Sequence, residues 1–219
     1  MVYYDRLGKA CEFKDEKKFN HGRQADIFLY NDIVLKTYYE AVCRMDYKTF
    51  ATLRRIKSRN FISLIDSYSK IKGDSQIDAY TYHFIEDKHD LNMYTTEKFI
   101  NEVEGLIRLV DFFSNFYILM DDVHKDNLIF SDHIKLIDPD KYLIATYMEK
   151  DYISLQNRIQ LLSALKSYLR ENTRGISEER LYNLFKVNKK GNIGEEMQLK
   201  LTSKEYMKDY LIKWCKSNV

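Results

Sequence analysis

Two short apolar runs, Leu128-Ile129-Phe130 and Ile134-Lys135-Leu136-Ile137, stand on either side of Ser131-Asp132-His133 and constrain this chain more than any other stretch. Runs of this length, bounded by turn residues, pack as a buried β-hairpin. Both ends of the hairpin carry oxygen-bearing side chains. Asp122 and Asn127 lead into the first run, and Asp138 leaves the second. Such a hairpin would hold Asn127 and Asp138 at its mouth, facing one cleft. The plain alternative is a polar hairpin on an unrelated α/β protein.

Moving the terminal phosphoryl of ATP requires a carboxylate that orients and deprotonates the attacking hydroxyl, and an amide and a carboxylate that hold magnesium against the phosphates. Magnesium takes oxygen ligands and keeps several waters, so one carboxylate, one amide oxygen and phosphate oxygens suffice. Asp122, Asn127 and Asp138 form such a set, and the segment resembles the catalytic and metal-binding loops of the protein kinase superfamily, including its aminoglycoside and choline kinase branch. The resemblance implies that Asp122 is the catalytic aspartate, Asn127 the metal-binding asparagine and Asp138 the aspartate of the Asp-Phe-Gly position. Met120 and Asp121 depart from the usual His-Arg, and Pro139-Asp140 replaces Phe-Gly. Asp140 is similar in place to the glutamate of the choline kinase Asp-Phe-Glu, which makes it a candidate either for a residue that supports the metal ligands from behind or for a further metal ligand. His124 stands where the small-molecule branch commonly has histidine, and is a candidate tie between the two loops. Lys125 reads equally as a solvent-facing charge.

The same resemblance implies an ATP-binding half upstream. Gly22, the only glycine of its loop, precedes an alternating stretch from Asp26 to Tyr30, a turn at Asn31-Asp32, and Ile33-Val34-Leu35-Lys36-Thr37-Tyr38. This is a β-hairpin whose second strand carries a lysine, similar to the Val-Ala-Ile-Lys strand of kinases. Lys36 would reach the α and β phosphates. Kinases pair that lysine with a glutamate on the next helix, yet residues 47 to 65 hold no acid. Asp46 is the nearest candidate, with Glu40 behind it. Either the helix sits close, or something else orients the lysine, or the activity is lost. Glu86-Asp87-Lys88 would form the hinge, with the backbone from Glu86 to Lys88 meeting the adenine edge.

The expected fold is α+β: a two-lobed, protein kinase-like unit over residues 1–219, with an antiparallel sheet and one helix in the N-lobe (1–87) and a mainly helical C-lobe (88–219). Strands over 61–70 and 77–85 would complete a five-stranded sheet, and the first helix would run from near Asp46 to about Ser58. Phe99, Ile100, Val103, Leu106, Ile107, Val110 and Phe113 recur at helical spacing after Thr95 and predict an amphipathic helix of about five turns. Three further helices are expected, over about 152–171, 177–187 and 203–217, with Gly175 ending the first, Ser177 capping the second and Thr202 with Glu205 forming a capping box for the third. The single proline is Pro139, so no Ala-Pro-Glu motif closes an activation segment, which would be truncated.

Composition suits one cytoplasmic enzyme. A net charge of +2 does not suggest a nucleic-acid partner. The one basic run, Arg54, Arg55, Lys57 and Arg59, reads as a solvated helix end or a docking patch for an acidic partner. Cys11, Cys43 and Cys215 are widely spaced, as reduced thiols would be, and no run approaches the ~20 apolar residues of a membrane helix. The partners implied are ATP with Mg2+ and a hydroxyl acceptor. His124 favours a small-molecule acceptor. The 36 residues from 86 to 121 leave no room for an acceptor cage, which favours a protein or peptide, as in the similarly stripped RIO-type kinases. A pseudokinase binding module and a kinase-fold nucleotidyl transferase are the other readings.

Overall fold

Local chemistry sets the first half of the molecule. The computed structural model describes residues 2–13, 17–21, 24–39, 45–87 and 94–172. It opens with a small hairpin that the sequence did not advertise, β1 (Val2–Tyr4) against β2 (Ala10–Glu12), turning through Asp5, whose carboxylate accepts from the backbone of Leu7 and Lys9. Then follow β3 (Lys17–His21), β4 (Ala25–Tyr30) and β5 (Ile33–Tyr38). Asn31 takes φ 54, a left-handed conformation that asparagine tolerates, so β4 folds straight back with Tyr30 opposite Ile33. Adding β6 (Leu64–Tyr68) and β7 (Ala79–His83) completes a five-stranded antiparallel sheet in the order β3-β4-β5-β7-β6. The sheet is the expected one. Its last two strands are shorter than the apolar pattern suggested; at the two ends of β6, Phe61 bridges to Leu136 and Ser69 to Tyr4.

Helix α1 (Tyr47–Leu53) stops five residues before the expected Ser58. Its end turns through hydrogen bonds from Arg55 to Thr52 and from Ile56 to Leu53, so most of the basic run lies beyond the helix. Arg54 pairs with Asp66 at 3.3 Å and Arg59 approaches Glu102 at 3.8 Å, so half of that run has acidic partners within the chain.

Helix α2 (Thr96–Asn115) is capped by the Thr95 hydroxyl and buries Phe99, Ile100, Val103, Leu106, Val110 and Phe113, as the periodicity predicts. Burying such side chains contributes about 1.5–3 kcal/mol each, which anchors the helix as the spine of this half. Against it lie β8 (Ile118–Leu119), paired with β11 (Leu143–Ile144), and the hairpin of β9 (Leu128–Phe130) and β10 (Ile134–Leu136). Helix α3 (Lys150–Asn172) lies near the expected span, and its Tyr168 stacks on Phe130 at 3.9 Å. The architecture is mixed α+β with antiparallel sheets and, among the described residues, three helices. None of these helices is long and apolar enough to cross a membrane.

The chain divides into two compact units, Met1–Tyr168 and Leu169–Val219. The helices expected over 177–187 and 203–217, with Gly175, Ser177, Thr202 and Glu205, lie outside the described residues, as do Cys43 and Cys215. Cys11 is a free thiol.

Candidate active site

The β9–β10 hairpin positions two of the three oxygen-bearing residues. Leu136 pairs with Leu128, which brings Asn127 and Ile137 side by side, and the Ile137 N–H donates to the Asn127 carbonyl at 2.9 Å. Asp138 follows at once and turns sharply, with φ 57. Asp122 has φ 58, so two aspartates share the left-handed backbone that this residue type tolerates better than most. Between them, a 3-10 turn (Lys125–Asn127) buries the asparagine side chain.

A cavity of about 770 Å³ lies between β4–β5 and these loops, and Lys36, Asp122, Asn127, Asp138 and Asp140 all line it. Five predicted site residues, spread over more than a hundred positions in the sequence, therefore share one crevice. Lys36 Nζ donates to Asp138 Oδ1 and lies 2.6 Å from Asp140 Oδ2. Burial alone would push the Lys36 ammonium down, but Asp140 and Asp138 outweigh it and hold it above the usual lysine value. Burial pushes the Asp138 carboxyl up, the adjacent Asp140 charge adds to this, and Lys36 offsets only part. Asp122 is half-exposed and pairs with Lys141 at 2.5 Å, while its own N–H donates to Asp121 Oδ1 at 2.9 Å.

Asn127 Oδ1 is buried with no hydrogen-bond partner. An acceptor left so costs about 1–3 kcal/mol, and such groups call for an explanation. A bound hard cation would supply one. Among the described residues no group of three or more His, Cys, Asp or Glu is arranged to hold a metal. The Asn127 amide oxygen and the Asp138 carboxylate are nonetheless of the ligand type that magnesium takes, and waters and phosphate oxygens would have to supply the rest. No model of a known protein family matches the sequence, and no curated protein matches it either.

Three expected roles change. Asp46 does not meet Lys36: it is the N-cap of α1, accepting from Thr49 N at 2.9 Å and Thr49 Oγ at 2.6 Å. The acid is used by its own helix, whose orphan N–H groups lie nearer than any strand. Asp140 is not free to ligate a metal fully. Its Oδ1 accepts from Tyr38 at 2.7 Å and Tyr80 at 2.9 Å, and its Oδ2 faces Lys36. His124 lines the same cavity but, among the described residues, makes no hydrogen bond to the Asp138 loop; its ring lies 3.5 Å from Asp126 in the same turn.

Glu86 lines a different cavity of about 550 Å³, together with His83, Ser131 and His133, and not the one around Lys36. Gly22, Glu40 and Lys88 lie outside the described residues.

Lys141, Tyr38 and Tyr80 are the site residues that sequence reasoning missed. Tyr38 had a signal, since it stands two residues after Lys36 on one strand and so shares its face. Tyr80 and Lys141 had none, because only the pairing of β5 with β7 and the course of the loop after Asp138 bring them near.

Proposed function

We propose that this chain is an ATP-dependent phosphotransferase of the protein kinase-like type, with the five-stranded sheet and α1 in its N-lobe and α2, the β9–β10 hairpin and the loops of Asp122 and Asp138 in its C-lobe. The observation that carries the reading is the orphaned Asn127 Oδ1 in the same cavity as Asp138, Lys36 and a half-exposed Asp122. Lys36 would bind the triphosphate, and Asn127 with Asp138 would hold magnesium. Bound magnesium neutralises charge on the phosphate oxygens. Asp122 would accept a hydrogen bond from the acceptor hydroxyl and take its proton, work for which its half-exposed carboxylate is open to an incoming chain.

A serine or threonine of a protein or peptide suits this site better than a small alcohol. From Thr95 to Asp121 the described chain is taken up by α2, β8 and the turn before the catalytic loop, with no insertion to enclose a small substrate. A protein brings its own complementary surface. Catalysis would take place in the cytoplasm, where ATP is supplied.

Intact-mass analysis after incubation with MgATP, alone and in cell extract, tests the reading. Wild type should leave phosphate on itself or on a protein acceptor, and Asp122→Asn should reduce transfer about 100-fold or more. A gain of AMP would make the chain a nucleotidyl transferase. A thermal shift with ATP but no transfer would make it a binding module, and unchanged transfer in Asp122→Asn would remove the mechanism.

A further inference from the structure

Lys36 is an ammonium with only 8% of its side chain exposed, and a charge so buried persists only when paired. Its two partners are not equivalent. Asp138 is 40% exposed and stands beside Asn127, where a cation would draw it away from the lysine. Asp140 is 7% exposed and held from the sheet side. Tyr38 and Tyr80 both donate to its Oδ1, at 2.7 and 2.9 Å, which turns Oδ2 toward Lys36. Both tyrosines share the lysine's face of the sheet: Tyr38 is two residues along β5, and Tyr80 lies directly opposite Lys36 in the β5–β7 register. Helix α1 contains no acid, and the Asp46 carboxylate is occupied by Thr49.

We propose that Asp140, clamped by the Tyr38 and Tyr80 hydroxyls, is the positioning residue for Lys36, taking the part that an acid on α1 would otherwise play and leaving Asp138 free for the metal. This rests on the phosphotransferase reading. Its consequence is that the lysine is aligned from the loop after Asp138 and, among the described residues, by no ion pair from α1, whose contact with the clamp is apolar, Phe50 against the Tyr80 ring.

The test measures the Kd for a fluorescent ATP analogue with Mg2+, the KM for ATP, and thermal stability in four proteins. Asp46→Asn removes the charge but keeps a side chain that caps a helix equally well, so Kd and KM should stay within about twofold of wild type. Asp140→Asn, and the gentler double variant Tyr38→Phe with Tyr80→Phe, should raise both about tenfold or more. A purely structural role for Asp140 would lower the melting temperature and leave the Kd of the folded fraction unchanged, which overturns the proposal. An Asp46→Asn effect as large as that of Asp140→Asn overturns it too. Should wild type fail to bind the analogue, the phosphotransferase reading falls and the proposal with it. Binding that ignores Asp140 sinks the proposal alone.

Discussion

Gly105 lies on the buried face of α2, and a methyl added there would stand 2.4 Å from Asn60 Oδ1 and 3.2 Å from its Cγ. Asn60 has little room to yield. It is buried, and its Nδ2 donates to Glu102 Oε2 and to the Ile134 carbonyl, each at 2.8 Å. Alanine in mid-helix is favoured over glycine by about 1 kcal/mol. Displacing Asn60 would cost a hydrogen bond to a carboxylate, about 1.5–3 kcal/mol, and one to a carbonyl, about 1 kcal/mol. Gly105→Ala should therefore destabilise by about 1.5–3 kcal/mol, which for a unit of this size lowers the melting temperature by roughly 3–12 °C. The Asn60 carbonyl also accepts from Leu136 N at 2.9 Å, so the shift would reach β10 and the turn into Asp138. Thermal unfolding followed by circular dichroism measures it. A variant as stable as wild type would refute the steric reasoning. In an Asn60→Ala background the same change should instead be neutral or stabilising by about 1 kcal/mol, because the obstacle is gone.

Asn127→Ala removes a buried acceptor that has no partner, so stability should hold or rise, by up to about 1–3 kcal/mol, while Mg-dependent transfer falls about 100-fold; a loss of stability alongside the loss of transfer would assign the residue to the fold. Asn157 is buried, accepts from Met120 N at 2.8 Å and donates to the Ile118 carbonyl at 2.9 Å, clipping the entry to the Asp122 loop onto α3. Asn157→Leu leaves both groups unpaired, and the urea midpoint should report a loss of about 1–3 kcal/mol for each. Burial pushes the Glu102 carboxyl up, but hydrogen bonds with His133 and Asn60 outweigh it and hold it below the ordinary glutamate value. A carboxyl so lowered adds stability above its unfolded pKa and loses it as pH falls through the folded value. Glu102→Gln should flatten the acid side of a melting-temperature profile below about pH 5, and an unchanged slope would contradict the assignment.

Sequence by itself determined what local geometry dictates. Alternation and the Asn31 turn specify the β4–β5 hairpin, the spacing of Phe99 to Phe113 and the Thr95 cap specify α2, and the runs beside Ser131 specify the hairpin that carries Asn127 and Asp138. All rest on contacts between near neighbours, whose periods are visible in the order of residues. Only the tertiary structure decided what Lys36 meets. Its partners stand about a hundred residues downstream, and Tyr80 joins them through the register of β5 on β7. Asp46 looked suitable by its place in the chain, but helix N–H groups within one turn captured its carboxylate first. A partner reached only across a folded sheet leaves no period in the sequence, because the pairing is set by how whole elements pack.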